Sequence, residues 1–180
     1  MPIAPDDAPF SFPEKPVLDG PAPTGYRLTV ADRVIGHGIR DFEAAVTAVL
    51  TWKTHSGSGF IPVRVPAAVT LGAVSVWRIP FGPIRPAVSC RVFEVVDEPS
   101  RGGFGHGSLV GHPQQGWESY VVHLERSGAV RLRIRVTAKP AARWMAAAGP
   151  LGQVALQILL RRNLRSLDES VRKARRQRSS

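Results

Sequence analysis

The most restrictive feature of the sequence is a segment near position 130 in which apolar and polar residues alternate without a break. The apolar set and the polar set interleave one by one: Val130, Leu132, Ile134 and Val136 with Arg131, Arg133, Arg135 and Thr137. Successive side chains of a β-strand point to opposite faces of the sheet, so one face of this strand is predicted to lie on a core and the other in water. This pattern is typical of an antiparallel sheet with one solvated side.

The preceding segments predict further strands at hairpin spacing. The strand-like runs cover residues 26–30, 61–65, 71–79, 89–96, 104–109 and 119–125. Turn sequences separate several of them, among them Ile35-Gly36-His37-Gly38, Phe81-Gly82-Pro83 and Ser127-Gly128. Such spacing favours a meander of antiparallel strands.

Two helices are predicted to accompany the sheet. The first spans about three turns, from Asp41 as the N-cap to the Gly/Ser-rich breaker at residues 55–59. The second follows Pro140, carries a broad apolar stripe and contains Gly149-Pro150, which predicts a kink. The order of elements predicts an α+β fold of the helix-grip type, a curved antiparallel sheet of about six to seven strands around a long C-terminal helix. The alternative is an α+β sandwich with a filled core.

The two ends of the chain differ in composition from the middle. Residues 1–24 are rich in proline and are predicted to form an extended, largely disordered arm. Residues 25–168 are predicted to be a single domain, and residues 169–180 a basic C-terminal tail. Trp52, Trp77 and Trp144 are predicted to be core residues and Trp117 to be exposed.

Composition limits the classes of protein to which the chain can belong. The hydrophobic fraction of 43 % suffices for a core, no apolar run is long enough to span a bilayer, and the single cysteine excludes an internal disulfide. These features predict a cytoplasmic protein. The net charge is +10, and residues 161–180 hold eight Arg and Lys against Asp168 and Glu169. A basic surface attracts polyanions such as nucleic acid, yet the aromatic residues are not interleaved with the basic ones as a nucleic-acid platform requires.

The glycine-rich stretch from Arg101 to Glu118 holds most of the candidate site residues. Neither a phosphate-binding loop nor a Gly-x-Ser-x-Gly nucleophile motif occurs in the sequence. The proposed ligand-binding residues are Arg91, His106, Ser108, His112 and Glu118. Strand alternation places His123 on the wet face, away from the others. We therefore predict no metal site, no cofactor and no assigned catalytic residue.

Several segments resemble one known family. These are Tyr26, Ile35-Gly36-His37-Gly38, Cys90-Arg91-Val92, Phe104-Gly105-His106-Gly107-Ser108-Leu109, Gly111-His112-Pro113, Gly116 with Glu118, and Gly149-Pro150-Leu151. Over residues 25–168 the chain resembles the domain of unknown function 1990 family, also called uncharacterised protein family 0548. The resemblance implies a fold of the Bet v 1 and START-like group and implies no activity. The chain departs from the family at Gln114 and Trp117, where the family tends to carry acidic residues.

Three functional hypotheses follow. The first is a binding protein without catalysis that holds a small, mostly apolar ligand between the sheet and the C-terminal helix. The second is a hydrolase- or cyclase-like enzyme in which His106 or His112 acts as acid–base and Glu118 orients it. It requires these side chains to point into one cleft. The third is a basic module that binds nucleic acid or another polyanion. The sequence predicts neither the identity of a ligand nor the oligomeric state.

Overall fold

The computed structural model describes residues 5–80, 85–141 and 143–176. The turn predicted at Phe81-Gly82-Pro83 and the side chain of Trp144 lie outside the described part. So do the first four residues of the arm and the last four of the tail.

In the part of the chain that the structure describes, seven strands form one antiparallel sheet, as the alternation predicts. The strands are β1 (Arg27–His37), β2 (Ile61–Arg64), β3 (Val74–Arg78), β4 (Ala87–Glu98), β5 (Arg101–Ser108), β6 (Gln114–Leu124) and β7 (Ala129–Pro140). Their order across the sheet is β1-β7-β6-β5-β4-β3-β2, and every neighbouring pair is antiparallel. Strands β2 to β7 form a meander, and β1 closes the sheet beside β7.

Among the described residues, four helices accompany the sheet: α1 (Ile39–Leu50), α2 (Lys53–Ser56), α3 (Arg143–Arg165) and α4 (Asp168–Arg176). Helix α1 contacts β5, β6 and α4, whereas α3 contacts β7 and β1. The predicted kink in the C-terminal helix is confirmed, because Gly149 has non-helical angles of φ 41° and ψ −120° inside α3.

The main core lies between the inner face of the sheet and the helices. Its fully buried residues include Val130, Leu132 and Ile134 from β7 and Phe104 from β5. The apolar half of the alternating segment therefore faces the core, as predicted. Trp52 and Trp77 are core residues as well, with exposed fractions of 2 % and 4 %.

The start of α1 differs from the prediction. Strand β1 continues through Ile35-Gly36-His37, and Gly38, not Asp41, precedes the helix. Asp41 lies in the first helical turn, where its buried carboxylate accepts the His37 backbone N–H at 2.7 Å and the Arg175 guanidinium at 2.5 Å. Its acidic side chain suits the positive end of the helix, but it is bound by β1 and α4 and does not act as the N-cap.

The arm differs more strongly. Residues 5–24 contain no helix or strand, as the prolines require, but they lie ordered across the outer face of the sheet. Phe12 and Leu18 are buried there, and the Trp117 indole N–H donates to the Val17 carbonyl at 2.9 Å. The prediction of a disordered arm missed these apolar anchors, which offset the ordering entropy.

Glycines of β5 make room for the arm. A Cβ atom at Gly105 would lie 2.4 Å from the ring of Phe93 and 2.6 Å from Leu18, and one at Gly107 would lie 2.7 Å from Phe12. Both glycines alternate with the inward-facing His106, so they belong to the outer face. Their missing side chains allow the arm to touch the backbone of the sheet.

The outer face is consequently drier than predicted. Trp117, which was expected to be exposed, is 4 % exposed because Phe12 and Tyr26 pack against its ring. Arg135 is 18 % exposed and donates to the Gly20 carbonyl of the arm. Arg131 binds Glu125 and Asp32 at 2.6 Å each.

The C-terminal tail also differs from the prediction of a free segment. Helix α4 buries Val171 against the core, and Arg33 of β1 holds Asp168 at 3.0 Å. Because of these contacts, residues 168–176 are part of the folded domain.

Candidate functional site

A small cavity opens on the inner face where β3, β4, β5 and β6 run side by side. Its volume is about 50 Å³. The described residues that line it include His55, Phe60, Trp77, Val88, Cys90, His106, Ser108, His112, Gln114 and Glu118. Among them, His55 comes from α2, so the cavity lies beside that helix.

His106 and Glu118 form the centre of the site because the strand register places them opposite each other. His106 of β5 pairs with Glu118 of β6, which places their side chains on the same face of the sheet. The His106 Nε2 atom lies 3.7 Å from the Glu118 Oε2 atom, and the Tyr120 hydroxyl donates to the same oxygen at 2.6 Å. One carboxylate is thus held by two neighbours.

Glu118 is an ionised group inside this cavity. Burial alone would raise the pKa of its carboxyl, but the neighbouring His106 ring and the hydroxyl of Tyr120 outweigh burial and lower the pKa to about 2. The side chain keeps 29 % of its surface exposed. Glu118 therefore offers a negative charge to whatever enters the cavity.

His55 is a cavity residue that the sequence interpretation missed. It lies in α2, within a segment whose Gly and Ser residues indicated only a helix end. Its ring stacks on Trp77 at a centroid distance of 5.3 Å and meets the edge of His106 at 5.1 Å. Burial, together with the nearby His106, lowers the pKa of His55 to about 3. The sequence signal for this position was a histidine three residues after Trp52, which was predicted to be a core residue.

His112 lies at the same cavity, in the turn between β5 and β6. Its Nδ1 atom accepts the Gln114 backbone N–H at 3.0 Å. Burial lowers the pKa of His112 to about 4 against the opposing attraction of Glu118. The ring is therefore neutral at physiological pH.

Ser108 also lines the cavity, but its hydroxyl is already used by the protein. It bonds the Gly116 N–H and carbonyl at 3.0 Å each, and Ser11 of the arm at 2.6 Å. These bonds tie β5, β6 and the arm together. We therefore assign Ser108 a structural role instead of the predicted role in ligand binding.

Arg91 does not belong to the site. It pairs with Gly107 across β4 and β5, and Gly107 faces outward, so Arg91 lies on the face opposite His106. Its guanidinium donates to the carbonyls of Asp6 and Ala8 and lies 5.6 Å from the centre of the Phe10 ring. Arg91 fixes the arm and is excluded from the cavity by the sheet itself.

The site lacks a metal-binding arrangement in the part of the chain that the structure describes. No group of three or more His, Cys, Asp or Glu side chains there is close enough to hold an ion. Cys90 lines the cavity, and burial raises the pKa of its thiol above its ordinary value. A protonated thiol is a poor nucleophile.

Comparison with known proteins places the chain in a family. A family model described as a domain of unknown function, DUF1990, matches residues 11–166. The chain belongs to the DUF1990 family. The match begins within the arm, upstream of residue 25, where the resemblance in the sequence was predicted to begin. No curated protein sequence matches the chain.

Solved structures show the same fold at low sequence identity. The DUF1990 chain is similar to TTHA0849 from Thermus thermophilus, with a TM-score of 0.61, 15 % identity, and coverage of 82 % of this chain and 99 % of that one. It is similar to the KanY protein (ms6282), with a TM-score of 0.58, 13 % identity, and coverage of 83 % and 99 %. It is also similar to Ara h 8.0201, a Bet v 1-like protein, with a TM-score of 0.53, 14 % identity, and coverage of 83 % and 99 %. The predicted helix-grip fold is confirmed.

None of the helices in the described ranges is long and apolar enough to cross a membrane.

Proposed function

We propose that the protein binds a small molecule in the inner cavity. The polar end of the ligand lies against Glu118, beside His106, His112 and His55. The observation that carries the proposal is the convergence of His106, His112, His55 and Glu118 on one cavity. Pockets that bind small molecules combine apolar walls with a few convergent polar groups. The outer face, by contrast, is occupied by the arm.

The chemistry of the cavity indicates the kind of ligand. The ionised Glu118 carboxylate favours a ligand that carries a hydrogen-bond donor or a positive charge. Trp77, Phe60 and Val88 provide apolar surface beside it. A mostly apolar molecule with one polar group satisfies both parts of the wall.

The size of the cavity limits the ligand further. About 50 Å³ holds a few water molecules, whereas pockets for drug-sized ligands measure about 300–1,000 Å³. A drug-sized apolar ligand would require the cavity wall to move. A ligand of a few non-hydrogen atoms, or one end of a longer molecule, fits more directly.

Native mass spectrometry of the purified protein tests the proposal. We expect a retained small molecule in the wild type and its loss in Glu118→Gln, because the neutral amide removes the negative charge. Glu125→Gln is the matched control, since Glu125 is an ionised glutamate on the outer face that binds Arg131. Equal retention by all three proteins would contradict a site at Glu118, and the absence of any bound molecule from protein in cell extract and from titrated ligand libraries would contradict the proposal.

Acid–base catalysis is the second candidate function. The geometric requirement is met, because His106, His112 and Glu118 line one cavity. If the retained molecule changes mass on incubation with fresh protein, and Glu118→Gln slows that change while Glu125→Gln does not, the protein is an enzyme. Binding of nucleic acid or another polyanion stays a sequence prediction.

A further inference from the structure

Two buried nitrogen atoms in the cavity walls have no hydrogen-bond partner among the described residues. They are Nε1 of Trp77 and Nδ1 of His106. The two residues are 4 % exposed, and both line the cavity. A buried polar atom without a partner is costly, and folded proteins satisfy almost all such atoms with protein, water or ligand. The pair therefore points to something that occupies the cavity.

The chemistry of each nitrogen can be assigned from its surroundings. An indole nitrogen is a donor only. The other ring nitrogen of His106 faces an oxygen of Glu118 that already accepts the Tyr120 hydroxyl. The tautomer with its proton on Nε2 donates toward the carboxylate, whereas in the other tautomer two lone pairs would face each other, so we assign the first. Nδ1 is then an acceptor.

The donor and the acceptor border the same small space. The rings of Trp77 and His106 both contact the ring of His55, at centroid distances of 5.3 and 5.1 Å. Trp52 is another common neighbour, at 6.2 and 6.4 Å. The two rings therefore border the same part of the cavity, next to His55 and Trp52.

We propose that the cavity recognises a group in which a hydrogen-bond acceptor and a donor are adjacent, as in a primary or secondary amide, with Trp77 donating to the acceptor and His106 accepting from the donor. This inference rests on the proposed function and names the chemical class of its ligand. An amide oxygen and N–H complement the indole and the imidazole. Trp77 is the specificity residue that the sequence interpretation had assigned to the core alone.

A titration with three small probes, followed by NMR, tests the inference on the full chain. The probes are 2-pyrrolidinone, which has acceptor and donor, N-methyl-2-pyrrolidinone, which has the acceptor only, and cyclopentane, which has neither. The reporters are the indole N–H signal of Trp77 and the ring nitrogen signals of His106. The ring nitrogen signals of His37 are the internal control, because that ring lies away from the cavity, where it bonds the Ser127 carbonyl.

We expect 2-pyrrolidinone to shift the Trp77 and His106 signals to saturation and to leave the His37 signals in place. N-methylation is expected to weaken binding about tenfold, because it leaves the His106 acceptor unpaired. Trp77→Phe keeps an aromatic ring at this position and removes the N–H. It should weaken the binding of 2-pyrrolidinone by a similar factor and leave the binding of cyclopentane unchanged.

Three results would overturn the inference. The first is equal binding of 2-pyrrolidinone and its N-methyl form. The second is a proton on Nδ1 of His106 in the free protein. The third is binding of cyclopentane alone, in which case the proposed ligand-binding function stands while the amide class falls. If no probe binds and the purified protein retains no small molecule, both proposals fall together.

Discussion

At the scale of single residues, successive positions of β5 face opposite sides of the sheet and serve different purposes. Phe104 lies in the core and His106 at the cavity, while Gly105 and Gly107 face the arm on the other side of the sheet. Contact with the arm explains these two glycines, whereas Gly102 lies against Val46 of α1 and Gly103 against the backbone of β6. The chemistry lies on the opposite side of the same backbone.

Two of these glycines should respond differently to substitution. Gly103 has φ +153°, and a Cβ atom there would lie 2.0 Å from the Tyr120 carbonyl oxygen, which is backbone and cannot move aside cheaply. At Gly105 the nearest atoms are the ends of the Phe93 and Leu18 side chains. We expect Gly103→Ala to lower the free energy of unfolding by about 3 kcal/mol and Gly105→Ala by about 1 kcal/mol.

Urea unfolding of the two variants measures this difference. Because both positions lie on one face of one strand, each serves as the control for the other. Equal losses of stability would mean that the arm, and not the neighbouring strand, limits the space at both positions.

At the scale of elements, the arm packs against three strands of the sheet without forming a strand itself. Arg91, Ser108, Trp117 and Ser119 each bond or pack against it from β4, β5 and β6. Its attachment is side chain to backbone over most of its length. Prolines, which lack an N–H, are compatible with such an attachment.

Removal of one anchor should release the arm. Phe12 is 6 % exposed, with its ring centroid 5.1 Å from that of Phe10 and 5.2 Å from that of Trp117. We expect Phe12→Ala to lower the free energy of unfolding by about 3 kcal/mol and to shift Trp117 fluorescence to longer wavelength, as its indole becomes wet.

Val17→Ala is the matched control in the same arm, because Val17 is 42 % exposed and should change stability by about 0.5 kcal/mol or less. A Phe12→Ala protein as stable as the wild type would show that the arm is detached in solution.

Local patterns predicted the elements better than they predicted their faces. The alternation of 130–137 gave the strand and its inner side, because a period of two is set by backbone geometry alone. The position of Arg91 depends on its pairing with Gly107, and register between strands is a long-range property that one segment does not contain. The same reason explains Trp117, whose burial comes from residues of the arm, far away in the sequence.

The site was predictable in part. His106 and Glu118 were identified because they lie in one glycine-rich stretch, and a short hairpin brings them opposite each other. His55 could not be added, since only the packing of α2 against the sheet places it beside them. Sequence proximity thus identified the half of the cavity that a single hairpin builds.

At the scale of the whole molecule, the buried histidines make stability depend on pH. Histidine has an ordinary pKa near 6.5, and the fold lowers that of His55 to about 3 and that of His112 to about 4. Between the lowered pKa of each histidine and its ordinary value of 6.5, the unfolded chain binds a proton that the folded chain excludes. The free energy of unfolding is therefore expected to fall as the pH drops below 6.5, by up to about 2.7 kcal/mol per pH unit when two histidines take part.

Glu118 acts in the same direction at lower pH. Its folded pKa of about 2 is below its ordinary value of 4.5, so its contribution to stability is present above 4.5 and is lost as the pH falls toward 2. Urea unfolding at a series of pH values from 7 to 4 measures the slope of the free energy of unfolding against pH. His55→Phe should reduce this slope by the contribution of one proton, about 1.4 kcal/mol per pH unit. A stability that stays constant from pH 6.5 to 4.5 would contradict the burial of the histidines as neutral rings.

The glycine face of β5 has a consequence for any shortened form of this chain. A fragment that begins at Tyr26, where sequence periodicity starts, would leave a strip of sheet backbone with no side chains to shield it from solvent or from other molecules. Loss of the arm would also uncover the ring of Trp117, and exposed apolar patches promote association. Such a fragment should therefore be prone to self-association even though every strand of the sheet is intact. In the full chain the arm, which has the least regular structure, shields this face from such contacts.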